Sequence, residues 1–373
     1  MSTIKVDTIK NRSNAINLPN NFKIGGDSIV QGYTASGTEP SSPSTGDFWW
    51  DSSNDKLYRY INGEFKELTI AAPSGNAWSG DRGIVTGGET PTSGRSNVIQ
   101  YFDITTAGNA QDFGDLHSAR ELHSGASSSA RGLSIGGFVS GTLGTEYITI
   151  ATTGNGTTFG TLITNVRYMA ACSDGTKAFV NGGNPGPTNE IQYVTIATTG
   201  NAADWGDLTG TMWLNNATSD LTRAVVHGGI EGSSTYLNKI DYYSTASAGN
   251  ASDFGDGTTT RGQGGGCADA TRGLFGGGTP DGATTKIKTI DYITIQTTSN
   301  ASDFGDLSGN RMRVKACPNE TRAVFCGGDT AGNGTGKLNI MEYVTIQTLG
   351  NATDLGDLLE TIHNHTAFSG NPS

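Results

Sequence analysis

A repeat with invariant internal spacing runs from about residue 77 to the end of the chain and constrains the fold more than any other feature. In each of six copies, a basic residue precedes a pair of glycines by five residues and a tyrosine precedes an asparagine by eight. The basic residues are Arg82, Arg131, Lys177, Arg223, Arg272 and Arg322, and the tyrosines are Tyr101, Tyr147, Tyr193, Tyr242, Tyr292 and Tyr343. Self-similarity at this period is typical of solenoids and propellers.

The spacing between copies shows where insertions occur. Each repeated asparagine precedes the next basic residue by 22 residues, so length varies only between the glycine pair and the tyrosine. The conserved-length segments are short, rich in β-branched and aromatic residues, and bounded by Gly, Asn and Asp. In the third copy they predict strands over 168–172, 177–181, 191–198 and 204–208. Four short strands per copy are typical of a propeller blade.

The two ends of the repeat region complement each other. The first copy begins at Arg82 without a first strand, and residues 359–370 (LETIHNHTAFSG) resemble a first strand with no copy after it. We therefore predict an all-β fold, a six-bladed β-propeller over 71–373, in which the C-terminal strand pairs beside the strand after Arg82 and closes the ring. The alternative, an open solenoid, needs polar capping units, and none is visible.

Residues 1–70 do not share the repeat, and their sequence predicts a small N-terminal anchor. Within 33–70, a Ser/Pro-rich stretch precedes three strand-like pieces, FWWD, KLYRY and EFKEL, and Asn62-Gly63 predicts a type I′ hairpin. A sheet this small is marginal alone, so we expect it to dock or oligomerise. Trp49, Trp50, Tyr58 and Tyr60 are the candidate anchor contacts. The alternative is that these aromatics form the core of the module itself.

Composition excludes several classes of partner. A net charge of -11 disfavours nucleic acid and anionic membranes. No apolar run approaches the ~18 residues of a membrane span, and the N-terminus lacks a secretory h-region, so we expect neither membrane insertion nor export. Cys172, Cys267 and Cys317 recur at one repeat position. We therefore predict small core residues rather than disulfides or a zinc site.

The repeated charges and aromatics are interpreted as structural. We expect the six basic residues to pair with acidic residues rather than to form a self-repelling anion-binding ring. The expected partners are Asp115, Asp207, Asp256, Asp306 and Asp357. The second copy has Thr161 there, which leaves Glu146 as the expected partner of Arg131. The tyrosines are expected to pack between blades.

No residue pattern predicts catalysis or a cofactor. His363 and His365 alternate on the closing strand, which is compatible with a metal site, but further clustered ligands are missing. We expect a solvated strand and no metal. Unique paired carboxylates, a phosphate-binding loop and a Ser-His-Asp arrangement are not apparent, so we predict a protein that is not an enzyme.

The variable segment lies between the second and third strands, so all six of these loops open on one face. Loops on a rigid scaffold often carry recognition, although unconstrained drift explains the same variation. The candidate recognition residues are Arg95, Asn184, Glu231, Tyr236, Asp281 and Asp329.

Two resemblances extend this interpretation. The glycine pair and downstream aromatic resemble kelch-type propellers, but the regular tryptophan is missing: only Trp205 stands at a position otherwise held by Phe or Leu. Copies such as SDGTKAFVNGG with ATTGNAADWGDL resemble those of structural proteins of marine, cyanophage-type bacteriophages. The start MSTIKVDTIKNRS with NLPNNFKIGG resembles tail fibres and tail appendages, and GDFWWDSSNDKLYRYINGEFKEL resembles a short β module of phage fibres.

The resemblance implies a virion structural protein, assembled in the cytoplasm of a host bacterium. Its class would be a tail fibre or tail-attached component, in which residues 1–70 bind other tail proteins and the chain forms a homo-oligomer. The propeller would contact neighbouring proteins or a host-surface glycan or protein. The alternatives are a lectin-like receptor-binding propeller, a head-attached fibre or decoration protein, and an enzyme that degrades surface polysaccharide. Tyr236 is the one aromatic evident on the variable loops, which disfavours the lectin.

Overall fold

The described residues of the protein fold into β-strands, turns and bends, without a helix. The computed structural model describes residues 23–24, 27–28, 33–51, 53, 56–61, 63–67, 79–92, 94–139, 144–282, 284–332 and 334–372. Within these residues, then, nothing helical is long and apolar enough to cross a bilayer. The chain divides into two compact units, Met1–Ala72 and Pro73–Ser373.

The first unit contains a four-stranded sheet. Its strands lie in the order Tyr33–Ser36, Phe48–Asp51, Lys56–Ile61 and Glu64–Glu67, and a short pair joins Lys23–Ile24 to Asp27–Ser28. The last three strands of the sheet are antiparallel, and they include the hairpin that the sequence predicts between the last two. The strand Tyr33–Ser36, which pairs in parallel with Phe48–Asp51, was not predicted. Gly63 adopts a φ of +87°, and Asn62 lies outside the described residues.

The second unit contains six four-stranded antiparallel sheets in its described part, which we number 1 to 6. In each sheet we call the strands A, B, C and D in order of pairing. Sheet 1 comprises Thr366–Gly370, Arg82–Thr86, Val98–Asp103 and Gln111–Asp115; sheet 2 comprises Ser124–Ser127, Arg131–Ile135, Thr145–Thr149 and Thr157–Gly160; sheet 3 comprises Ala170–Ser173, Lys177–Asn181, Thr188–Thr195 and Ala203–Met212. Sheet 4 comprises Asn216–Ser219, Arg223–His227, Lys239–Ser244 and Ser252–Asp256; sheet 5 comprises Gly265–Ala268, Arg272–Gly276, Thr289–Thr294 and Ser302–Asp306; sheet 6 comprises Lys315–Pro318, Arg322–Cys326, Leu338–Thr345 and Thr353–Ile362.

Sheet 1 is built from both ends of the repeat region. Its strand A, Thr366–Gly370, pairs antiparallel with Arg82–Thr86, and Phe368 lies opposite Ile84. This pairing is the one predicted for the C-terminal segment. The predicted strand over 359–370 is nevertheless too long, because residues up to Ile362 continue strand D of sheet 6.

Strand bounds in sheet 3 show how well the repeat markers locate elements. Strand B, Lys177–Asn181, has the predicted bounds. Strand A begins at Ala170 rather than at residue 168, because Tyr168 adopts a left-handed φ of 60°. Strand C covers Thr188–Thr195 rather than 191–198, and strand D extends to Met212.

The sheets of the second unit contact one another in cyclic order. Each strand A contacts strand A of the next sheet, and strand A of sheet 6 contacts strand A of sheet 1. The apolar core lies between neighbouring sheets: Leu133 of sheet 2 packs in one cluster with Val180 of sheet 3, and Val85 of sheet 1 packs in another with Val324 of sheet 6. The six A strands together line a central cavity.

The repeated asparagines join the outer strands of neighbouring sheets. The Oδ1 atom of each accepts a hydrogen bond from a backbone N–H in strand D of the preceding sheet, or directly after it in sheet 2, at 3.0 to 3.1 Å. The series includes Asn109 of sheet 1, which accepts from Asp357 of sheet 6. The asparagines thus bridge sheets, a contribution that a turn preference alone does not predict.

The repeated basic residues do not pair with the repeated aspartates, so that prediction is wrong. Arg82 donates to the carbonyls of Ile150 and Ala151 of the next sheet at 2.8 and 2.9 Å, and its guanidinium lies 4.9 Å from the ring centre of Tyr101. The stacked tyrosine directs the guanidinium to the carbonyls that follow strand C of the neighbouring sheet. The other four arginines also donate hydrogen bonds to backbone carbonyls of the next sheet. Lys177 forms an ion pair with Asp174 and donates to the carbonyl of Thr245.

The expected pairing of Arg131 with Glu146 is also wrong. Arg131 donates to the carbonyls of Ile196 and Ala197. The carboxylate of Glu146 is buried and forms an ion pair with Arg120. Glu146 therefore lies paired in the core of sheet 2, whereas Arg131 links sheets 2 and 3.

Candidate functional site

The variable loops and the connections that precede each strand A share one face of the second unit, which we call the loop face. Backbone bridges tie them together, for example Arg167 to Asn184 and Glu89 to His363. The glycine pair makes this contact possible. At Gly88, φ is +102°, and a Cβ atom would lie 2.8 Å from the carbonyl oxygen of His363.

Six residues with left-handed backbone surround the mouth of the central cavity on this face. Each lies two residues before a strand A, with φ between 55° and 61°: Leu122, Tyr168, Leu214, Gln263, Arg313 and Asn364. Left-handed φ is uncommon for residues other than glycine. Backbone hydrogen bonds of 2.6 to 3.0 Å link them in succession from Asn364 through Leu122 to Arg313. We call them the mouth residues; the inter-sheet bonds hold their strained backbone.

A charged network joins the loops of sheets 6 and 1 beside the mouth. The imidazole of His363 lies between two carboxylates, with Nε2 3.1 Å from Glu89 and Nδ1 3.2 Å from Asp329. Arg313 lies 3.3 Å from Asp329 and 3.1 Å from Nδ1 of His363. Lys337 completes the network at 3.1 Å from Glu89. None of these five residues belongs to the repeated markers.

The electrostatics of the network favour a neutral imidazole. Burial lowers the pKa of His363, against the opposing effect of Glu89. Burial alone would raise the pKa of Glu89, but hydrogen bonds from His363 and Lys337 lower it overall. With neutral His363, Nε2–H donates to Glu89 and Nδ1 accepts from Arg313, so every member has a compatible partner.

The network holds the loops of sheets 6 and 1 together. Burial would raise the pKa of Asp329, but the backbone N–H groups of Ala331, Gly334 and Gly332 lower it overall. Both carboxylates already have cationic partners, and both imidazole nitrogens are engaged. Within the described ranges, no group of three or more His, Cys, Asp or Glu side chains is arranged to hold a metal ion.

The expectation that the closing segment is solvated is wrong. His363 and His365 are 1% and 0% exposed. Burial lowers the pKa of His365 to about 3, and within the described part of the chain neither of its ring nitrogens has a partner at hydrogen-bond geometry. His123, at the equivalent position of sheet 2, is also buried, and Thr86 lies 3.1 Å from its Nε2. The alternation that suggested one exposed strand face instead places these rings between sheets.

The candidate loop residues differ in burial. Glu231 and Asp281 are exposed, and Asp281 accepts hydrogen bonds from the backbone N–H and hydroxyl of Thr285. Asp329 is fully buried, and it organises its own loop. The difference between Asp281 and Asp329 is one of burial, which loop composition does not reveal.

The other three candidates are partly buried against the connections. Tyr236 has its pKa raised by burial, and Asn184 exchanges backbone hydrogen bonds with Arg167. Arg95 lies 3.6 Å from Glu121 and 4.3 Å from the ring centre of Phe138. Arg167 also approaches Phe138, at 5.1 Å.

The candidate anchor residues of the first unit mostly contact one another. Trp49 is buried, stacks on Tyr58 at 4.8 Å between ring centres, and donates from Nε1 to the carbonyl of Ser36 at 3.1 Å. Tyr60 packs edge-on against Phe65 at 5.0 Å. Trp50 lies within the strand Phe48–Asp51, and its side chain lies outside the described residues.

Three buried ion pairs were missed by the sequence analysis. Arg120, Arg261 and Arg311 occupy the same position, four residues before strand A, and pair with the acidic residue that precedes the repeated tyrosine of the same sheet: Glu146, Asp291 and Glu342. In sheet 3 the equivalent residues are Val166 and Gln192, both buried. Neither position is charged in sheet 3, and this was the available signal, although sheet 4 departs from it by combining Met212 with Asp241, which pairs with Lys239.

No protein-family model matches the chain, and no curated protein sequence is significantly similar to it. A functional assignment therefore depends on the residues and on their geometry.

Proposed function

We propose that residues 71–373 form a six-bladed β-propeller in which each four-stranded sheet is one blade. The cyclic contact of the A strands supports this proposal, as does the pairing of Thr366–Gly370 with Arg82–Thr86. The arginine and asparagine bridges follow the same cyclic order, including the step from sheet 6 to sheet 1. Full closure removes unpaired inner edges, which explains why the first strand comes from the C-terminus.

The function proposed for this propeller is that of a non-enzymatic structural and attachment protein of a bacteriophage virion. The observation that carries it is a scaffold whose repeated polar residues hold neighbouring sheets, together with one face whose loops vary. In this proposal residues 1–70 bind other tail proteins, supported by the resemblance of MSTIKVDTIKNRS to tail-appendage termini. A tail fibre or tail-attached component is favoured over a head-attached decoration.

A specific surface favours host contact as a second role of the loop face. The expectation that Tyr236 is the one aromatic on the variable loops is wrong, because Phe138 lies on the variable loop of sheet 2. Phe138 is 38% exposed, and the guanidinium groups of Arg95 and Arg167 lie over its ring at 4.3 and 5.1 Å. An exposed aromatic with flanking arginines is typical of binding hot spots and suits an acidic surface glycan. Phe138 lies on a short strand paired with Arg120–Glu121, so the surface is held by the scaffold.

The virion proposal is tested by a density map of the intact particle whose genome encodes the chain. We expect a six-bladed disc attached to the tail through residues 1–70. Absence of the chain from purified particles by mass spectrometry would overturn the proposal. Release of oligosaccharides from host envelopes by the purified chain would overturn the non-enzymatic assignment.

Host contact is tested separately with the purified full chain and intact host cells. The variant Phe138→Ala should bind cells at least about tenfold more weakly, as expected for loss of a hot-spot aromatic. Leu349→Ala is the matched control, because Leu349 is exposed but lies away from the loop face, after strand C of sheet 6. Equal binding by all three proteins would exclude this surface as the contact.

A further inference from the structure

Lys315 places an ammonium group in the central cavity. It is the first residue of strand A in sheet 6, and its side chain lines two adjoining parts of the cavity, each of ≈ 30 Å³. The part near the mouth is also lined by Arg313 and His365, and the deeper part by Ser124 and Thr366. Among the described residues that line the deeper part, Lys315 is the one charged side chain.

Among the described residues, no counter-charge compensates this ammonium group. Across the ranges the structure describes, no carboxylate forms an ion pair with Lys315, and burial is the sole cause that lowers its pKa, to about 8. The positive charge of Lys315 also acts on histidines of two other sheets. After burial, it is a further cause of the lowered pKa values of His123 in sheet 2 and His365 in sheet 1. Lys315 is half-buried at the cavity wall, and a partly desolvated cation without a partner is stabilised when it binds an anion.

We propose that Lys315 binds a small inorganic anion of the halide class in the central cavity. The lining supplies further donors. The Oγ atom of Ser124 accepts from the backbone N–H of Ala171 at 2.8 Å, which leaves its own O–H to donate, and Thr366 adds a second hydroxyl. Arg313 at the mouth favours the entry of anions.

The size of the cavity selects the class of ligand. One water molecule needs about 10 to 15 Å³ of cavity volume. Each of the two parts of the cavity therefore admits one or two water-sized species. A sugar or a nucleotide is far larger than this space. The remaining lining, such as Ala170, Gly264 and Ala316, is small and uncharged, so Lys315 is the residue that determines selectivity for an anion.

Bromide is the probe that tests the site. Crystals of the full chain soaked in bromide should show an anomalous peak within hydrogen-bonding distance of Lys315 Nζ. The variant Lys315→Met should lack that peak. Absence of a peak from the cavity of the unaltered protein would overturn the proposal, as would a peak that persists in the variant.

A solution measurement keeps the proposal testable without crystals. The melting temperature of the unaltered chain should rise saturably with bromide, relative to gluconate at equal ionic strength, because a ligand of the native state stabilises it. Lys315→Met should weaken the apparent affinity about tenfold or more, which corresponds to the loss of one charged hydrogen bond. Lys288→Met is the control, since it also removes one positive charge, but from an exposed surface pair with Asp306. Equal responses of both variants would overturn the site.

The pH dependence of the affinity for bromide is an independent test of the site. Binding needs the ammonium form, so affinity for bromide should fall as the pH rises through about 8 and above. Arg313 keeps its charge over this range, and His123 and His365 are already neutral. Tyr168 also lines the mouth part, so the measurement is repeated on Tyr168→Phe, which should keep the pH dependence of the unaltered chain because Lys315 is the titrating group. An affinity unchanged between pH 7 and pH 10 would contradict this assignment.

Discussion

At the scale of single residues, the protein uses charge to join sheets and to fill its core. Each repeated arginine lies on a tyrosine of its own sheet and reaches carbonyls of the next, as Arg322 does with Ile104 and Thr105. The three buried ion pairs instead lie within a sheet. Because they are buried there, an unpaired charge would strongly destabilise the fold. The same kind of residue therefore links sheets at one position and fills the core at another.

The paired variation of Arg311 and Glu342 leads to a prediction on stability. Arg311→Val alone should cost about 3 to 5 kcal/mol of unfolding free energy, because it leaves the buried carboxylate unpaired. Adding Glu342→Gln should restore most of this loss, since Val166 and Gln192 hold these positions in sheet 3. Chemical denaturation measures both. Equal losses in the single and double variants would contradict the coupling.

A control for this experiment is the surface pair of Lys288 and Asp306. Their side chains are 49% and 35% exposed, at a distance of 3.0 Å. Lys288→Met should change the unfolding free energy by less than about 1 kcal/mol, because solvent screens the pair.

The buried histidines predict sensitivity to acid. The folded-state pKa values of His365 and His227 are about 3, below the unfolded value near 6.5. Between these values the unfolded chain binds protons that the folded chain does not, so stability should fall as the pH falls from about 6.5 towards 3. His365→Met should reduce this dependence by up to about 1.4 kcal/mol per pH unit, because Met169 occupies the equivalent position. The exposed His117, changed to Asn, is the control.

At the scale of elements, the repeat markers located strand B well and the connections poorly. Lys177–Asn181 was predicted to the residue, because the basic residue and the glycine pair bound it on both sides. The mouth residues were not predicted, since Leu122 and Tyr168 carry no mark of left-handed backbone. The burial of Asp329 and the partners of Arg82 were missed for the same reason: inter-sheet contacts decide them, and no local pattern encodes these contacts.

The closing strand gives a prediction at this scale. Phe368 is buried in a cluster with Ile84 and Ile148, and its ring fills the space beside Gly132. Phe368→Ala should cost about 3 to 5 kcal/mol, as is usual for removal of a buried aromatic side chain. Leu221→Ala, on an exposed residue, should cost less than about 0.5 kcal/mol. Denaturant titration of the full chain distinguishes the two, and similar small losses would exclude a core role for Phe368.

At the scale of the whole second unit, three independent sets of contacts follow one cyclic order. The A strands, the arginine bridges and the asparagine bridges each include the step from sheet 6 back to sheet 1. The proposed six-bladed propeller would explain this order with a single closure and would place all variable loops on one face. A repeat architecture was predictable because its period is visible in the sequence; the identity of the bridging contacts was not.

Amide hydrogen exchange on a truncated chain tests the closure most directly. Removing residues 366–373 deletes the strand that pairs with Arg82–Thr86, whereas the control truncation removes only residues 371–373. The account predicts that the first truncation abolishes protection in Arg82–Thr86 and weakens it in the neighbouring A strands of sheets 2 and 6, while the control retains full protection. Unchanged protection of Arg82–Thr86 in the longer truncation would contradict a ring closed by the C-terminal strand.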